Sequence, residues 1–65
     1  MNDYDVWFVH DYFSVYCVVF CDYEDEVIKT ARQFLTVDNG VPTWMVDDAQ
    51  DIIVEKKGSM QNGNV

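Results

Sequence analysis

Apolar and polar residues alternate along the chain in a pattern that predicts two strands, one helix and a third strand. Residues 4–9 and 13–20 are rich in β-branched and aromatic side chains, which is typical of strands. The short polar stretch 10–12 between them predicts a hairpin turn. Residues 52–55 predict the third strand.

The segment after the second strand has the spacing of an amphipathic helix. Asp22 is predicted as its N-cap, with Asp25 three residues later in an arrangement that resembles a capping box. Asn39 or Gly40 is predicted to end it in the left-handed conformation. Its apolar positions recur at the helical period and form one stripe: Val27, Ile28, Ala31, Phe34 and Leu35.

These elements predict an α+β fold of ββαβ type. The right-handed crossover rule makes strand three parallel to strand two and antiparallel to strand one, in the sheet order 2-1-3, with the helix on one face. Residues 41–46 are interpreted as a connection, with a short helical turn through residues 47–50. The predicted domain covers residues 1–57, and residues 58–65 are interpreted as a flexible tail.

Both faces of the predicted sheet are apolar, which a sheet with one face in water would not show. Because one helix covers one face, the other face is expected to bind a partner or a second copy. The alternative is that Trp44, Met45 and the tail fold back over it. The pattern leaves open which set of side chains faces the helix. The apolar candidates for partner binding are Trp7, Val9, Tyr16, Val18 and Phe20.

Charge narrows the class of partner. The formal net charge is −8, which repels nucleic acid and anionic membranes and attracts basic protein surfaces. The start of the chain lacks the basic region of a signal peptide, and the apolar stretch 15–21 is too short to cross a bilayer, so a cytoplasmic location is expected. The acidic candidates for partner binding are Glu24, Asp25, Asp47, Asp48 and Asp51.

No residue pattern points to catalysis, a cofactor or a metal. His10 is the only histidine, and Ser14 lies in a strand pattern without a predicted oxyanion site. Cys17 and Cys21 on one strand would have Cα atoms about 13 Å apart, too far for a disulfide. The aspartates of residues 47–51 lack the spacing of a calcium loop and are interpreted as a solvated surface.

The junction VVFCDYEDEVIKTA, residues 18–31, resembles the strand-to-helix junction of a class of small tailed-phage proteins. In that class an aromatic hairpin leads into a helix with an acidic start and then a last strand. The class includes an inhibitor of host RNA polymerase found in podophages. The resemblance implies a phage protein that binds a host protein inside the host cytoplasm.

The leading hypothesis is therefore a small acidic interaction protein that binds and modulates a host protein with a basic surface, such as RNA polymerase or another nucleic-acid-handling protein. Two alternatives stay open. One is a nucleic-acid mimic, which requires carboxylates arranged in rows on one surface. The other is a homodimeric structural or assembly protein, with the apolar face used only between copies.

Overall fold

The structure, a computed structural model, describes residues 1–58. β1 spans Asn2–Val9 and β2 spans Ser14–Cys21, and a hairpin turn joins them. The main helix begins as a 3-10 turn over Glu24–Glu26, continues as α1 over Val27–Gln33 and ends in a π-helical turn over Phe34–Asp38. A short helix, α2, spans Trp44–Asp47, and β3 spans Asp51–Gly58.

The predicted sheet is confirmed. The strand order is β2-β1-β3, and β1 pairs antiparallel with both neighbours. The pairing of β1 with β2 runs without a break from Val9 opposite Ser14 to Asn2 opposite Cys21. Apart from Gly58, which ends β3, the predicted tail lies outside the described residues.

The core lies between one face of this sheet and the helices. β1, β2 and the main helix each contribute three side chains at the period of their own structure, and α2 adds one. The buried apolar residues are Tyr4, Val6, Phe8, Cys17, Val19, Cys21, Val27, Ala31, Leu35 and Val46.

The helical stripe is narrower than predicted. Val27, Ala31 and Leu35 are buried, whereas Ile28 and Phe34 flank them with 45% and 41% of their surface exposed. A helix resting on a sheet makes close contact along one line of i, i+4 and i+8 positions, so the flanking positions stay partly in water. The partly exposed Phe34 lines a groove beside β2.

Two predictions at the ends of elements were wrong. The N-cap of the first helical turn is Tyr23 rather than Asp22, and no side chain caps it. The turn is closed instead by a backbone hydrogen bond of 3.1 Å from the Glu26 N–H to the Tyr23 carbonyl. The second helical turn lies at Trp44–Asp47, three residues earlier than expected. The stop after residue 38 is confirmed, with Gly40 at φ +72°.

We predict that Leu35→Ala lowers the free energy of unfolding by about 2–5 kcal/mol, because it empties a buried site under the helix. Val37→Ala changes the same quantity by less than about 0.5 kcal/mol, since Val37 is 70% exposed two residues further along. Urea denaturation of both variants measures the difference. Equal effects would contradict this orientation of the helix.

Candidate interaction surface

The face of the sheet opposite the helix, here called the open face, holds all five apolar residues predicted to bind a partner. The helix side takes Val6 and Phe8 of β1 together with Cys17 and Val19 of β2, which are buried. Strand alternation then directs the other set away from the helix: Trp7, Val9, Tyr16, Val18 and Phe20. The structure thus decides the question of orientation that the sequence left open.

An apolar row crosses the middle of the open face. Trp7 lies opposite Tyr16 of β2 on one side and opposite Ile53 of β3 on the other. The Trp7 and Tyr16 rings are 5.3 Å apart between centroids and tilted by 36°. Tyr16 is 49% exposed and Ile53 is 43% exposed, so the row is available for contact within the described structure. Ile53 was not among the residues predicted from the sequence, because the sheet face on which its side chain lies is set by its pairing with Trp7.

Carboxylates flank this apolar row on both sides. Asp5 and Glu55 form the next row with Val18, and Asp3 lies beyond them opposite Phe20. In the other direction Asp51 lies opposite Val9. The apolar row of the open face therefore has acidic groups on both sides of it, contributed by β1 and β3.

Asp5 is the most buried charged residue of the open face, with 8% of its surface exposed. Its Oδ1 accepts a hydrogen bond of 2.6 Å from the Tyr16 hydroxyl, and its Oδ2 lies 3.7 Å from the Lys57 Nζ. These partners offset the cost of burying a carboxylate and hold the Tyr16 ring beside Trp7. Sequence reasoning missed Asp5, although an acidic residue inside an apolar strand was a signal.

The hydrogen bond to Asp5 is the largest cause that raises the pKa of Tyr16 above its ordinary value of 10.0. Ionised tyrosine loses the proton that it donates and repels the carboxylate. Because the folded pKa is raised, this bond stabilises the fold fully below the unfolded tyrosine pKa. Its contribution is lost as pH rises through the raised pKa of Tyr16.

The acidic candidates are not brought together. Glu24 and Asp25 lie just after the carboxyl end of β2, while Asp47 and Asp48 precede β3. These groups sit near opposite ends of β1, whose eight residues span about 23 Å at roughly 3.3 Å per residue. Of the five, Asp51 alone is paired in the sheet, and it borders the open face.

Asp47 takes part in holding the fold. Its carboxylate accepts two hydrogen bonds from the Arg32 guanidinium, at 2.8 and 2.9 Å. That bidentate pair lowers the pKa of Asp47 and joins α2 to α1. Glu24, Asp25 and Asp48 make no side-chain ion pair or hydrogen bond within residues 1–58.

His10 has a structural environment. Its Nε2–H donates to the Met45 carbonyl at 2.7 Å, and its ring stacks on Phe13 with centroids 4.5 Å apart. Trp44 packs edge-on against both rings. With Val46 buried in the core, α2 lies on the helix side, so Trp44 and Met45 do not cover the open face.

Both cysteine thiols lie in the core. Cys17 and Cys21 are free and buried, and burial raises the pKa of both thiols, which lowers their nucleophilicity at neutral pH. Within residues 1–58, no three His, Cys, Asp or Glu side chains come close enough to hold a metal ion. No helix in this part of the chain has the length and apolar character needed to span a bilayer.

Comparison with protein-family models, with curated proteins and with solved structures finds no match. The similarity to small tailed-phage proteins accordingly stays a prediction from the sequence layout.

We predict that Asp5→Asn shifts the titration of Tyr16 back toward pH 10.0, because the carboxylate that accepts its proton is removed. NMR of the Tyr16 ring across the alkaline range measures this. Glu55→Gln is the matched control, since Glu55 lies opposite Asp5 on β3. An equal shift in both variants would show that general charge, and not the hydrogen bond, sets the Tyr16 pKa.

Proposed function

We propose that this protein is an interaction protein whose open face binds another protein with a basic surface. The observation that supports this most directly is the row Tyr16–Trp7–Ile53 with carboxylates on either side. Tyr16 and Ile53 are exposed, and Trp7 between them is half-buried. Aromatic side chains supply much of the affinity at protein interfaces, and exposed apolar patches mark such contacts. Carboxylates beside them select a partner that presents Lys or Arg.

The polar groups of the open face favour a specific contact over general stickiness. Asp5 fixes the Tyr16 hydroxyl and pairs with Lys57, so the ring is ordered before a partner arrives. An ordered side chain loses less conformational entropy on binding than a free one. The open face thus favours a partner that presents an apolar contact with basic groups beside it.

The charge of the whole chain adds an effect on rate. A net charge of −8 attracts a basic surface over distances of about a Debye length, roughly 10 Å at 0.1 M salt. Proteins that handle nucleic acid present such surfaces. The resemblance to small tailed-phage proteins extends the proposal to a host protein of this kind, such as RNA polymerase, whose activity the binding modulates.

The other two functions have less support. Nucleic-acid mimicry needs carboxylates in rows that follow phosphates, whereas Glu24 and Asp25 lie at the far end of the sheet from Asp47 and Asp48. A homodimer through the open face would place two surfaces of the same sign against each other, each belonging to a chain of charge −8.

We predict that Ile53→Lys abolishes capture of the partner from a lysate of the source or host cells, because it places a cation in the apolar row. Ile28→Lys is the matched control. It makes the same change of charge at a residue of similar exposure, 45% against 43%, on α1 and on the other side of the sheet from the open face. Quantitative mass spectrometry of the captured proteins compares both variants with wild type.

A protein retained by Ile28→Lys and lost with Ile53→Lys supports the proposal. Equal capture by both variants would contradict it. Sedimentation of the purified protein tests the homodimer alternative. In that case Ile53→Lys converts a dimer to a monomer, and no other protein is captured from the lysate.

We also predict that the association rate with the captured partner falls at least about tenfold between 20 mM and 150 mM salt, through screening of steering charges. Stopped-flow mixing measures the rate. The dissociation rate should change much less, because the apolar row is insensitive to salt. An association rate indifferent to salt would rule out electrostatic steering.

A further inference from the structure

The two edges of the sheet are built differently. β3 forms one edge, carries Glu55, Lys56 and Lys57, and has an irregular register opposite Asp3 and Tyr4. Charged residues and bulges of this kind protect an edge strand from pairing with other chains. β2 forms the other edge over eight residues with no charged residue, no proline and no break in register. Within residues 1–58 no strand pairs with the outer side of β2.

The hydrogen-bond pattern identifies the β2 backbone groups that face outward. The His10 N–H donates to the Phe13 carbonyl at 2.8 Å, which makes these two residues a hydrogen-bonded pair. Such pairs alternate along an antiparallel ladder, so Tyr16, Val18 and Phe20 direct both their N–H and C=O groups away from β1. The Val9 carbonyl is consistent with this alternation. It accepts a hydrogen bond from the Gln50 N–H, and so it points toward β3 and away from β2.

A groove of about 630 Å³ runs beside this free edge, between β2 and the main helix. Phe20 and Phe34 line it and are 59% and 41% exposed, so both rings can be reached by an apolar side chain from solvent. Two carboxylates line it, from Glu26 and Asp38, against the single cation of Lys29. The groove also adjoins the open face, because Phe20 belongs to both.

We propose that an extended segment of the partner protein, carrying Lys or Arg, pairs with the free edge of β2 as a fourth strand. Main-chain hydrogen bonds to Tyr16, Val18 and Phe20 hold it, and an apolar side chain enters the groove between Phe20 and Phe34. Its basic side chains meet Glu26 and Asp38. This inference rests on the proposed function and names the manner in which the partner is held.

Charge selects this occupant over a second copy of the chain. Two β2 edges paired antiparallel would bring together two chains of net charge −8 each, with Glu26 and Asp38 of each copy near the shared junction. A basic segment meets the same carboxylates with opposite charge. A dimer formed through β2 is therefore the alternative that the experiment below must exclude.

The experiment uses three synthetic peptides with the purified protein. The first, called the Lys peptide, is a seven-residue strand with Lys, Phe and Lys at positions 2, 4 and 6, which share one face, and Val at the positions between them. The second replaces each Lys by Glu. The third is the Lys peptide with alternate backbone amides methylated, on the side of the strand that would pair with β2. Isothermal titration gives affinities, and NMR gives the residues perturbed. The Lys peptide should bind with shifts centred on Val18 and Phe20, and each of the other two should bind at least about tenfold more weakly.

Val18→Pro tests the edge from the side of the protein. It removes an N–H that faces away from β1, so the β1–β2 ladder keeps its bonds, and proline is tolerated at such edge positions. Binding of the Lys peptide should fall at least about tenfold. Val18→Thr is the matched control, because it retains the N–H and strand propensity and should bind the peptide like wild type. Circular dichroism checks that both variants are folded.

Unchanged binding by folded Val18→Pro, or equal binding of the Lys and methylated peptides, would overturn strand addition. If Val18→Pro does not fold, the methylated peptide alone decides. A wild-type dimer that Val18→Pro converts to a monomer would assign the edge to a second copy and also overturn the proposal. Ile53→Lys and Ile28→Lys should bind the Lys peptide equally. Failure of the open-face proposal would therefore be seen in the lysate capture, whereas failure of strand addition would be seen in peptide binding.

Discussion

The arrangement of this protein depends on one constraint, which is that a single helical layer covers a single face of a sheet. Both faces of the β1–β2 hairpin carry large apolar side chains, but the main helix and α2 both pack on the same side. The core closes around Val6, Phe8 and Val27, which are fully buried. Within residues 1–58, the side chains on the opposite face are stabilised by their neighbours within the sheet.

Asp5 holds side chains of the open face together through cross-strand contacts. A buried carboxylate is costly unless it is paired, and here the Tyr16 hydroxyl and Lys57 both approach it. The same hydrogen bond that satisfies Asp5 orients the Tyr16 ring against Trp7. The hydrogen bond that pairs the buried carboxylate therefore also fixes the position of an exposed aromatic ring, which gives the open face a defined shape.

The two edges of the sheet also differ in their charge and regularity. The charged β3 edge has the devices that discourage pairing, whereas the β2 edge is regular and uncharged beside a groove with an acidic lining. The acids that are most conspicuous in the sequence, at residues 24–26 and 47–51, lie away from the middle of the open face. In the proposed function, charge acts on approach and selection, while the aromatic row and the free strand edge supply the contact area.

The sequence by itself determined the ββαβ order, the antiparallel 2-1-3 sheet and the apolar character of both sheet faces, because strand alternation and crossover handedness are local or general rules. It did not determine which face the helix covers, since Val6 with Phe8 and Trp7 with Val9 are equally apolar. Tertiary packing decided that question. It also decided the roles of Asp5 and Ile53, which depend on cross-strand partners tens of residues away or in another strand, and register of that kind exists only once the sheet has formed.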